Sequence, residues 1–133
     1  MRAKLILILS LTLNPLFLCS GQEKHKSAPA ILEIGGFKAQ RTGETISYEG
    51  RARNSGETPV RGVKLFFVLL DPDEKVLTRR GGALEPDELP PGGEAEIAFE
   101  MPWTARAVWV KIEAKDARTN DLKVTGAGPY EID

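Results

Sequence analysis

The chain has 133 residues, a formal net charge of −1, one cysteine, one histidine and 28% charged side chains. That is the length of a single domain, with both charge signs interspersed and no basic block of the kind that holds nucleic acid. A lone cysteine excludes an internal disulfide, and the two residues together leave almost no ligands for zinc or copper.

Met1 to Gly21 carries the three parts of a secretory signal. Arg2 and Lys4 form the positive segment, Leu5 to Leu13 the apolar one, and Cys19, Ser20 and Gly21 are small residues ahead of a cut. Pro15 interrupts the run before it reaches the roughly 18–20 apolar residues of a membrane-spanning helix. Cleavage before Gln22 discards Cys19 and exports a soluble chain to the periplasm or outside the cell. The alternative is a lipid anchor on Cys19, although Leu18 stands where such sites carry a small residue. Loss of Arg2 and Lys4 moves the net charge from −1 to −3.

Residues 22–30 are polar and aperiodic, which predicts a flexible linker ahead of one domain over residues 31–133. Ile31 to Ile34 starts a strand, Gly35-Gly36 marks a bulge before Phe37, and Thr42-Gly43-Glu44 turns the chain. Thr45 to Asn54 then alternates, with Ile46, Tyr48, Gly50 and Ala52 on one face and charged or polar residues on the other. That is the pattern of a half-buried strand. Asn54-Ser55-Gly56 turns, and Pro59 keeps the following loop out of a central strand.

Val63 to Leu70 is the organising strand. Val63, Leu65, Phe67 and Leu69 make one apolar face, and Phe66, Val68 and Leu70 make the other apolar as well. Asp71-Pro72-Asp73-Glu74 turns into a hairpin partner at Lys75 to Thr78. Arg79 to Pro91, rich in Gly, Pro and acids, reads as a long connection with Leu84 and Leu89 tucked in. Glu94 to Met101 alternates with Ala95, Ile97, Phe99 and Met101 inward. Arg106 to Lys115 alternates with Val108, Val110, Ile112 and Ala114 inward and with Ala107 and Trp109 outward. Leu122 to Ile132 closes the sheet. About seven short strands at this spacing predict an all-β fold, an immunoglobulin-like antiparallel β-sandwich.

The middle of the chain resembles the FxLYD domain, a small β-sandwich family of exported prokaryotic proteins. Phe67-Val68-Leu69-Leu70-Asp71 matches its signature with Leu70 in the place of Tyr. Asn54 with Ser55-Gly56 matches its turn, Val76-Leu77 its hairpin, and Leu89-Pro90-Pro91-Gly92 its later turn. The resemblance covers roughly Ser47 to Met101 and implies a fold and an exported setting, without an activity to carry over.

Chemistry is sparse. His25 falls in the linker, where nothing packed could orient it or tune its pKa, so no nucleophile–histidine pair is available. The carboxylates fall on turns and outward strand positions. Asp71, Asp73 and Glu74, with Asp87 and Glu88, offer oxygen ligands that calcium accepts, but their spacing departs from an EF-hand loop and suits an acidic turn. Gly81-Gly82 and Gly92-Gly93 lack the strand–loop–helix setting of a phosphate loop, and Arg79-Arg80 reads as a solvated pair. No metal, cofactor or catalytic set is expected. What remains is the second apolar face of the central strand: Phe66, Val68 and Leu70, joined by Trp109. Exposed, it would be a binding patch for another envelope protein or for self-association; the bland expectation is that Trp103 or the 79–91 connection covers it. The expected function is therefore an exported, non-enzymatic protein-binding or accessory module. The alternative, a glycan-binding or hydrolytic envelope domain, needs carboxylates converging beside an aromatic platform.

Overall fold

The computed structural model describes residues 31–133, so the expected secretory signal, the expected linker and Cys19 lie outside the described residues. Ten strands follow in order: β1 (Ile31–Thr42), β2 (Thr45–Asn54), β3 (Val60–Arg61), β4 (Lys64–Leu70), β5 (Val76–Ala83), β6 (Glu88–Leu89), β7 (Glu94–Pro102), β8 (Trp109–Lys115), β9 (Asp121–Thr125) and β10 (Tyr130–Glu131). Eight of them form one sheet in the order β5-β4-β8-β9-β1-β2-β7, with β10 also on β8, while β3 and β6 pair separately. The sheet curls into a nearly closed barrel, so that β5-β4-β8 faces β1-β2-β7 across one core. The all-β expectation holds, but the sheet is mixed where pure antiparallel pairing was expected. The cause is β9. It leaves β8 antiparallel through the turn at Asp116–Asn120, then runs parallel to β1, pairing Ile31 to Glu33 with Lys123 to Thr125. β9 thereby joins the two halves, and a second join follows β10, where Asp133 exchanges backbone hydrogen bonds with Ala39 and Arg41 of β1.

The core follows the alternation of the sequence. Leu65, Phe67 and Leu69 of β4 meet Ile46, Tyr48 and Ala52 of β2, Ile97 of β7, and Val110, Ile112 and Ala114 of β8. Phe67 stacks on Tyr48 across the two halves, with centroids 4.2 Å apart and planes 4° from parallel. Burial pushes the Tyr48 hydroxyl up to about 12, against the pull of the Arg80 charge, so the ring stays neutral. The expected bulge is present: the β1–β2 register slips between Gly35 and Lys38. Gly50 faces it because a Cβ there would lie 3.1 Å from both the Gly35 carbonyl oxygen and the Phe37 Cα.

Two stretches depart from the sequence expectation. Arg79 to Pro91 is not a loose connection, since β5 continues through Ala83 and Glu88–Leu89 forms β6 against β3. Gly81 and Gly82 look like turn residues but serve close approach. A Cβ on Gly81 would meet the Phe66 ring at 2.8 Å, and one on Gly82 would meet the Phe99 ring at 2.5 Å. Leu84 and Leu89 are buried as expected. Ala107, expected outward, is buried because the chain turns before β8. The Ala107 N–H donates to the Thr104 carbonyl, and the Ala107 carbonyl accepts the Trp103 indole N–H at 3.3 Å.

Candidate functional site

The four sequence-predicted residues do share one surface, the outer face of β5-β4-β8. The register lays it out in rows: Ala83–Lys64–Lys115, Gly81–Phe66–Glu113, Arg79–Val68–Lys111, and Val76–Leu70–Trp109 with Glu131 of β10 beside Trp109. Their degree of cover differs from the expectation of an open patch. Val68 and Leu70 are 2% and 4% exposed, whereas Phe66 and Trp109 are half-buried. Trp103 lies under the Arg41 guanidinium at 3.4 Å, and the 79–91 stretch does not fold over the face as a loop, but its first residue, Arg79, reaches across it from β5. The cover comes from neighbouring side chains.

Arg79 is the principal cover. It reaches from β5 across β4, its guanidinium carbon 4.1 Å from the Phe66 centroid, to bond Glu113 of β8 at 3.0 Å. Gly81 leaves the space that lets the Phe66 ring lie beneath it. The stem shields apolar surface while the charged end stays wet. Both side chains of the ion pair are more than 40% exposed, so the pair contributes only about 0.2–1 kcal/mol. Sequence reading missed Arg79 because β5 was taken to end at Thr78.

It also missed Val76, which at 64% is the one large apolar side chain strongly exposed among the described residues. The turn before it accounts for its position. The Asp71 carboxylate accepts the backbone N–H groups of Asp73 and Lys75 at 2.8 and 2.9 Å, and its other oxygen lies 3.7 Å from the Arg106 guanidinium. The Lys75 N–H first, then that of Asp73 and the Arg106 and Lys75 charges, outweigh desolvation and hold the carboxyl below its ordinary 3.8. Asp71 thus fixes the hairpin that sets Val76 opposite Leu70. Among the described residues no group of three or more His, Cys, Asp or Glu side chains is placed to hold a metal ion.

The outer face of the other half, β1-β2-β7, is different in kind. Glu33, Glu49, Glu94 and Glu96 stand there among Lys38, Arg51 and Arg53, around a shallow concavity floored by Gly35, Gly50 and Ala98. Arg53 bonds Glu33 at 3.3 Å, and Arg51 lies 3.9 Å from Glu94. These four carboxylates sit on the side of the domain opposite Trp109, whose own face carries Glu131 beside it and Glu113, which is bonded to Arg79.

No protein-family model matches the chain, and no curated protein matches it. Among solved structures it is similar to part of a β-glucuronidase from glycoside hydrolase family 2, at 15% identity and a TM-score of 0.52. The match covers 76% of this chain and 12% of that one, so the chain spans about an eighth of the enzyme's length. IrmA from Escherichia coli matches at 11% identity and a TM-score of 0.49, over 79% of this chain and 98% of that one. Part of β-glucosidase 3B from Thermotoga neapolitana matches at 16% identity and a TM-score of 0.41, over 77% and 17% of the two chains. At such identities the likeness is one of fold, that of a small β domain.

Proposed function

We propose that the chain is an exported, non-enzymatic accessory module that binds another protein through the outer face of β5-β4-β8. The observation that carries this reading is an apolar strip that the core does not use. Half-buried Phe66 and Trp109 and exposed Val76 surround the buried pair Val68 and Leu70, on the side of β4 opposite Phe67. Aromatic side chains at the margin of an apolar strip are the composition of a protein-binding surface. The glycan-binding or hydrolytic reading has less support, since the carboxylates gathered around a concavity lie on the face opposite Trp109, and of the two on its own face Glu113 is already bonded to Arg79.

The test uses the outward residues. Val68 and Leu70 are too buried to change without harming the fold, so Val76→Asp and Trp109→Ser are combined. The folded variant loses the partner that co-purifies with the unaltered chain from its native cell. Full retention of that partner would sink the reading.

The FxLYD resemblance and the immunoglobulin-like sandwich belong to the same proposal. They are supported by two antiparallel halves packed over one core, and by Asn54, whose amide joins the turn at Thr58 to the later turn at Leu89. Export is supported by the sequence of Met1 to Gly21. The chain recovered from its native cell should have the mass of one that starts at Gln22; an acylated Cys19 would replace soluble export by a lipid anchor, and an uncut Met1 would contradict both.

A further inference from the structure

We propose that the partner of this face is an acidic protein segment, one that sets carboxylates over Lys64 and Lys111 while its apolar side chains rest on Phe66, Val76 and Trp109. The inference rests on the binding role given above to the outer face. Its support is an uncompensated charge pattern. Lys64 stands directly opposite Lys115 in the β4–β8 register, and like charges in facing positions destabilise a sheet. Lys115 is paired with Asp121, whose side chain is 83% exposed, so the pair is screened and the Lys115 charge is not cancelled. Lys64 has only the Phe66 ring, 5.9 Å from its ammonium nitrogen. Among the described residues neither Lys64 nor Lys111 takes part in a salt bridge.

The two unpaired cations lie over one half of the apolar strip, away from Glu131 at its Trp109 end. Lys64 lies at one end of it, and Lys111 lies beside Val68 at its centre. Arg79, between them, is already satisfied by Glu113. A partner's carboxylate placed between Lys64 and Lys115 would remove a repulsion that the free domain retains, which is the complementarity that steers and orients docking. A lipid surface fits less well. The apolar side chains at the centre are recessed, at 2% and 4% exposure, and an interface helix or loop that enters a bilayer presents protruding ones.

The test titrates the full chain with a short soluble peptide of alternating Glu and Leu, read by amide chemical shifts. The control arms are the same peptide with Lys for Glu, and vesicles of phosphatidylglycerol. Saturable binding of the acidic peptide is expected, with shifts at Lys64, Phe66, Val68 and Lys111. Lys64→Gln and Lys111→Gln each weaken it about threefold, the worth of a half-exposed ion pair, and added salt weakens it further. Lys64→Glu removes the repulsion with Lys115, so it lowers affinity while raising the urea midpoint. Equal binding of the Lys peptide, preference for vesicles, shifts confined to β1-β2-β7, or no saturable binding would each overturn the proposal. So would a concentration-dependent self-association that the lysine variants abolish, because the occupant would then be a second copy. Should Val76→Asp with Trp109→Ser abolish partner binding while the lysine variants leave it intact, the binding face stands and its acidic preference fails.

Discussion

Asn54 is wholly buried, and its amide is spent on the backbone. The nitrogen donates to the carbonyls of Thr58 and Leu89, both at 2.9 Å, and the oxygen accepts the Gly56 N–H at 2.9 Å. Asn54→Ala strands at least one buried carbonyl, so it should cost about 2–3 kcal/mol in urea denaturation. Asp71 sets a pH dependence. Its folded pKa lies below the ordinary 3.8, so its contribution is present above that value and is lost as pH falls through the folded one. Asp116 behaves likewise: desolvation opposes the shift, and hydrogen bonds from Asn120 and Arg118 outweigh it. Lys115 lowers Asp121 by hydrogen bond and charge. Asp71→Asn keeps an acceptor for the turn but does not titrate. Its melting temperature should start lower at neutral pH and decline less steeply below pH 3.8 than that of the unaltered chain.

At the scale of elements, the strands with one polar face were legible from sequence, because a period of two admits only one buried side. The inward sets of β2, β7 and most of β8 follow from it directly. β4 was legible as an interior strand, though it lies next to the edge strand β5 and not at the centre of the sheet. Its surroundings were not legible: a strand apolar on both faces states that both are covered, not by what. The cover is Arg79, and it belonged to a stretch whose Gly81-Gly82 resembled a turn. Those glycines answer to Phe66 and Phe99, aromatic residues distant in sequence, and such a constraint leaves no local signal. At this scale Lys64→Glu should stabilise the free domain by about 0.2–1 kcal/mol, by turning a repulsive cross-strand pair with Lys115 into an attractive one. A variant no more stable than the parent would mean that solvent already screens the two lysines.

For the whole molecule, the weak place in the barrel is the seam between its two edge strands. β5 and β7 end the sheet order and meet where Phe99 packs on Gly82, without a shared ladder. Gly82→Val should therefore cost about 1–3 kcal/mol by overpacking, and Phe99→Ala in the same chain should return part of that loss in a double-mutant cycle. Strictly additive losses would mean that the seam closes elsewhere. The parallel run of β9 on β1, which joins the two halves, was not legible either; five residues between turns give no sign of which neighbour they will choose. The candidate face was half legible: the four residues named from sequence do share a surface, but Val76 and the flanking cations emerge only from the register.

The claim that matters most is that this face meets another protein. It is tested most directly by a photo-reactive side chain at position 109 in the native cell, with position 49 on the other half of the sheet as control. A discrete protein adduct from position 109, absent from position 49, is the predicted result. No adduct from position 109, or the same adducts from both, would contradict the account.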